Sequence, residues 1–181
     1  GTNAFVGVIN IVTYTSENFD GIDVTASGGS FATQDYSLTT GHTIGDLGIS
    51  TSFHFADTDG ARQLIPLDAQ TLVDRVVVAF GVRPISLAPR AAQTERRSTD
   101  VTAQATYRGF TLNTRVHDEE AGGFIGRIDI LGTSNTLENR QILVDAAQRI
   151  RLNQRTNLAV SFSFTQNEIE ENLSPLPPGF A

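Results

Sequence analysis

The sequence predicts an all-β protein. Its fold class is a transmembrane antiparallel β-barrel, present in part as about seven strands. Three observations predict this. Apolar and polar residues alternate with period two in about seven segments along the chain. Each segment runs roughly 8 to 12 residues, close to the 9 to 11 that a tilted strand needs to cross a bilayer. Short and long connections also alternate along the chain, as they do where tight turns lie on one side of a membrane and long loops on the other.

The elements follow in order. "GTNAFVGVINIVTYT" (1–15) is apolar and β-branched, and its residues 4–13 read as a mostly buried strand. "SENFDG" (16–21) is a turn-rich connector. In 22–28, Ile22, Val24 and Ala26 alternate with Asp23, Thr25 and Ser27. In 35–41, Tyr36, Leu38 and Thr40 alternate with Asp35, Ser37 and Thr39. In 47–56, Leu47, Ile49, Thr51, Phe53 and Phe55 oppose Gly48, Ser50, Ser52, His54 and Ala56. The same alternation continues in 100–107, 110–117, 141–152 and 157–166. Each segment has one apolar face and one small, polar or charged face. Asp145, Arg149, Arg151 and Arg115 fall on the polar phase, and no charge falls on the apolar phase of the strand centres.

Gly45-Asp46, Arg108-Gly109 and Asn153-Gln154-Arg155 read as tight turns, and long links span about 57–99 and 119–138. The link near 31–34 is short and breaks the rule once. Within the first long link, Asp68 is a candidate N-cap, with Leu72, Val73, Val76 and Ala79 at helical spacing behind it. A short helix is expected there, although "VVVAF" also suits a strand. Tyr107 and Phe110 flank a tight turn on the apolar phase, where an aromatic girdle would lie.

Composition narrows the function classes. The net charge of -7 argues against broad nucleic-acid binding, which needs a basic face. All 13 cationic residues are Arg. There is no Cys, so disulfides, zinc-thiolate sites and Cys nucleophiles are excluded. No apolar run is long enough for a transmembrane helix, which says nothing about a barrel.

The opening stretch resembles the end of the plug domain of TonB-dependent outer-membrane receptors. Gly1, Asn3, Ala4, Phe5, Gly7, Val8, Ile9, Asn10, Ile11, Val12 and Thr13 match the strand on which that plug closes. "GIDVTASGGSF" then resembles the first barrel strand, and "FHFADTDGAR", "RRSTDVTAQATYRGFTLNTRV" and "GGFIG" resemble the barrel further on. The likeness is specific over the opening residues and rests on pattern beyond residue 60. It implies three regions: 1–15 the end of the plug, 16–21 a linker, and 22–181 the N-terminal part of the barrel. It also implies that the chain is a fragment. The energy-coupling box, most of the plug and the later strands of a barrel of about 22 strands would lie outside it. The expected function is active import, at a Gram-negative outer membrane, of a scarce ligand such as siderophore-iron or cobalamin. The partners implied are that extracellular ligand, the TonB energy-coupling protein and outer-membrane lipid. The alternative is a soluble β-sandwich or jelly-roll binding domain, which would need one closed apolar core.

Candidate site residues are few. Arg96 and Arg97 suit an anionic ligand, a lipopolysaccharide headgroup or a structural ion pair. Phe124, in "GGFIG", either touches an apolar ligand or folds under its neighbours. "HDEE" offers His117, Asp118 and Glu119 as metal ligands, but reads better as a solvated strand end. "DTDG" (57–60) has the opening of a calcium loop without its later ligands and reads as a turn. The three His are widely spaced, and His54 beside Ser52 gives no triad. No catalytic residue, metal or cofactor is therefore assigned, and an enzyme is not expected.

Overall fold

A computed structural model describes residues 15–125, 129–132 and 135–172. The protein is mostly antiparallel β. Seven strands form one sheet: β1 (Gly21–Gly28), β2 (Gln34–Ile44), β3 (Leu47–Thr58), β6 (Arg96–Tyr107), β7 (Phe110–Gly122), β8 (Thr136–Arg151) and β9 (Asn157–Asn172). They are neighbours in chain order, so the sheet is a plain meander. Between β3 and β6 lie the short strands β4 (Leu64–Ile65) and β5 (Arg90–Ala91), paired with each other, and the helix α1 (Thr71–Val78). The strands coincide with the alternating segments of the sequence and extend beyond them, above all at β8 and β9.

Pairing places the period-two pattern in register across the whole sheet. One row runs Val24, Leu38, Phe53, Val101, Val116, Ile142. Four residues toward the tight turns, another runs Ile49, Ala105, Leu112, Ala146, Phe162 on the same face, since every second residue returns to it. The opposite face carries Thr25, Ser37, His54, Asp100, His117, Gln141 and Asn167 in one row. A slip of one residue at any pairing would exchange the faces, so the alternation itself fixes the register.

Among the described residues nothing covers the apolar face. Its large side chains, among them Ile22, Phe53, Val160 and Phe162, are exposed. The hydrophobic residues that are buried among those described, Ala92 and Leu131, both lie in the loops. Above the apolar band the same face turns charged, with Asp118, Arg140 and Glu168 in one row and Glu120, Glu138 and Glu170 in the next.

Connections are short at one end and long at the other. Gly45-Asp46 and Arg108-Gly109 close two-residue hairpins, and both Arg108 and Gly109 have positive φ (45° and 81°), the twist-matched geometry for such turns. The third turn is longer than expected: residues 152–156 join β8 to β9, because Leu152 and Asn153 bond back to Thr156 outside the ladder. At the far end the links are 59–95 and 123–135, shorter than the sequence suggests because the strands reach further into them. The link 29–33 is short, as expected.

Candidate functional site

Two regions carry chemistry: a hollow on the polar face, and the folded unit made by the long loops.

The hollow measures about 820 Å³ and is lined by residues of five neighbouring strands, β2, β3, β6, β7 and β8. Its walls are mainly hydroxyls and amides, among them Ser50, Ser52, Thr102, Gln104 and Asn113. Gln104 donates to Asn113 Oδ1 across one strand pair at 2.7 Å. Thr15, the first described residue, lines the same hollow. From there the segment Ser16–Asp20 crosses the polar side toward β1. Ser16 is buried and its carbonyl accepts from Thr43 Oγ1 at 3.1 Å. Gly48 leaves room for Ser16, and Gly41 for the carbonyl of Phe19, since a Cβ at either position would overlap them.

A belt of charges rims the hollow toward the long loops. Asp100 Oδ2 accepts from Arg115 Nε at 2.8 Å and lies 3.2 Å from His117 Nδ1. His117 Nε2 lies 3.4 Å from Glu119, which pairs in turn with Arg96 at 3.0 Å. One strand over, His54 Nε2 meets Asp35 at 2.9 Å. These residues share a face although they come from β2, β3, β6 and β7, because each stands at a polar-phase position of the common register.

The sequence candidates separate accordingly. Arg96 and Arg97 do not form one anion clamp: they are successive in a strand and point to opposite faces. Arg96 is held by Glu119 on the polar side, and Arg97 by Asp57 at 3.1 Å on the other. His117 and Glu119 share a face while Asp118 points away, and no metal-binding cluster occurs among the described residues. In "DTDG", Asp57 pairs with Arg97 and Asp59 with Arg62, so the acids serve local ion pairs. His54 bonds Asp35, whereas Ser52 bonds Thr39. Phe124 has positive φ and makes an antiparallel bridge with Gln93, through N–H···O bonds of 3.0 and 3.1 Å. That bridge ties the second long loop to the first. The residues Gly1 to Ile11 of the opening motif lie outside the described residues.

The loop unit is organised by two acids. Asp68 Oδ1 accepts from the backbone N–H groups of Gln70 and Thr71 and from Thr71 Oγ1, the work of a helix cap, although the helix proper begins three residues later. Its other oxygen accepts from Ser86 Oγ at 2.6 Å and from the N–H of Leu131 at 2.7 Å, which fastens both long loops together. Asp74 is only 5% exposed. It accepts from the N–H groups of Ile85 and Ser86 and from Gln70 Nε2. Burial is the largest influence on either carboxyl and raises it. The donors around each outweigh that, so both stay below the ordinary value of 3.8. This unit was the least legible part of the sequence, since its bonds join residues far apart in the chain.

No family model, curated protein or solved structure matches the chain.

Proposed function

We propose that the chain is part of a TonB-dependent outer-membrane receptor, joining the end of the plug to the first strands of the barrel wall. The observation that carries the proposal is the pairing of an uncovered apolar sheet face with a hollow polar face. A seven-stranded sheet in water must bury its apolar side against another layer. Among the described residues the only other sheet is the small β4–β5 pair. Lipid is the cover that suits the face, since its charges begin only above the apolar band and mid-bilayer Arg costs about 2–4 kcal/mol.

Three features support the same reading. The short turns lie at one end and the long links at the other, as periplasmic turns and extracellular loops do. The linker approaches from the polar side, where a plug would stand, over Gly41 and Gly48. Among the described residues both edge strands, β1 and β9, have one unpaired side, which further barrel strands would satisfy. In the intact receptor the long loops would capture a scarce extracellular ligand, such as siderophore-iron or cobalamin. The plug would then rearrange with energy relayed by TonB.

The test is expression of the 181-residue chain with and without detergent. The expected outcome is aggregation in buffer and a folded, β-rich species in micelles. A monodisperse soluble monomer would favour the β-sandwich or jelly-roll alternative and overturn the membrane reading.

A further inference from the structure

The helix α1 is mounted with its polar side inward. Asp74 faces the loop unit, bonded to Ile85 and Ser86. At 100° per residue, Leu72 and Val76 stand opposite it, with Val73 and Arg75 on the two flanks. Leu72 is 67% exposed, Val76 60%, and Phe80, in the turn that follows, 81%. An amphipathic helix normally buries such residues, and a contiguous exposed apolar patch marks a binding surface.

Charge gives the patch a second character. The chain is acidic overall, yet the acids nearest the patch in sequence, Asp68 and Asp74, are turned inward and accept from local donors. The cations face out. Arg75 and Arg83 are exposed and form no ion pair among the described residues. Arg83 is held near the helix, because Val82 bonds back to Val77 and Ile85 to Asp74. The surface therefore joins apolar side chains to two exposed guanidinium groups that form no ion pair among the described residues.

We propose that α1 and the turn after it bind a small apolar anion: an aromatic or alkyl body carrying a carboxylate, sulfonate or phosphate. The apolar body covers Leu72, Val76 and Phe80, and the anionic group takes Arg75 and Arg83. Guanidinium suits such oxyanions through paired N–H donors, and the apolar contact excludes water from the ion pair. Arg96 and Arg97, already paired to acids, leave this role to Arg75 and Arg83. The proposal concerns binding alone and holds in either solvent setting of the chain.

The probe is 6-fluoro-2-naphthoate, followed by fluorine NMR line broadening against the full chain, in micelles or in buffer. Empty micelles serve as the blank, and the neutral 6-fluoro-2-naphthamide as control. The naphthoate is expected to bind at least about fivefold more tightly than the amide. Arg75→Gln with Arg83→Gln should abolish that preference, and Leu72→Ser with Val76→Ser should weaken both probes. All four positions are exposed, so circular dichroism should stay unchanged. Equal binding of acid and amide, or a preference that survives loss of both arginines, would overturn the proposal. Solubility without detergent would sink the membrane reading and leave this result standing.

Discussion

Ser16 lies directly over Gly48, in the space that any larger residue at 48 would occupy. Thr106, paired with Gly48 across β3 and β6, closes the other side of that space. The linker is thus seated on the sheet by the absence of a side chain. Gly48→Leu should unseat it, at a cost of about 1–3 kcal/mol typical of overpacking. Limited proteolysis within residues 15–20 should accelerate in this variant. Ser16→Gly should partly rescue Gly48→Ala, because it removes the nearest clashing oxygen; absence of rescue would show that the linker does not rest there.

The two faces of β9 can be told apart directly. Leu158 and Val160 stand on the apolar face, and Ser161 on the polar one. In the membrane reading, Leu158→Arg or Val160→Arg impairs insertion, at less than the midplane cost of about 2–4 kcal/mol because both stand near the turn end of β9. Ser161→Arg should be better tolerated. Heat-modifiability on gels after refolding into micelles reads the difference, and equal effects would contradict the assignment of faces.

Asp100 anchors the charge belt. It is the acid that answers both Arg115 and His117. Asp100→Asn leaves the Arg115 guanidinium without its carboxylate and His117 with Glu119 alone, and should destabilise by about 1–2 kcal/mol, since Arg115 is itself half exposed. A double-mutant cycle with Arg115→Gln isolates the pair. Additive losses would mean that the two charges are not coupled.

Acid should loosen the loop unit before the sheet. Asp68 and Asp74 are held below their ordinary value, so their carboxylates contribute stability that is full above about 3.8, the unfolded value. That stability is lost as pH falls through the lower folded values. The chain has no Trp, so Leu87→Trp places a sole indole beside Ser86. Its emission should shift red below about pH 4 while strand circular dichroism persists. Asp68→Asn should bring the same shift at neutral pH.

Much of the sheet was legible in the sequence, and the reason is geometric. A strand returns its side chains to one face every second residue, so alternation alone assigned Phe53 and Val101 to one face and His54 and Asp100 to the other. Short apolar-polar segments joined by Gly45-Asp46 and Arg108-Gly109 also implied an antiparallel meander. The helix behind Asp68 was readable because its spacing is local. What the sequence left open was which charges meet. Arg96 and Arg97 were open to an anionic ligand, a lipopolysaccharide headgroup or a structural ion pair, and the pleat sends them to opposite faces, toward Glu119 and Asp57.

The sequence by itself determined the all-β class, the number and phase of the long strands, and which connections are short. Tertiary structure alone decided the ion pairs of the belt, the seat of Ser16 on Gly48 and the inward turn of Asp74. Those depend on contacts between residues distant in the chain, and period-two patterning carries no information about them. Asp74 shows why most plainly. Its helix spacing would bury Leu72 and Val76, yet the carboxylate turns inward to accept from the N–H groups of Ile85 and Ser86, each of which would cost about 1–3 kcal/mol if buried without an acceptor.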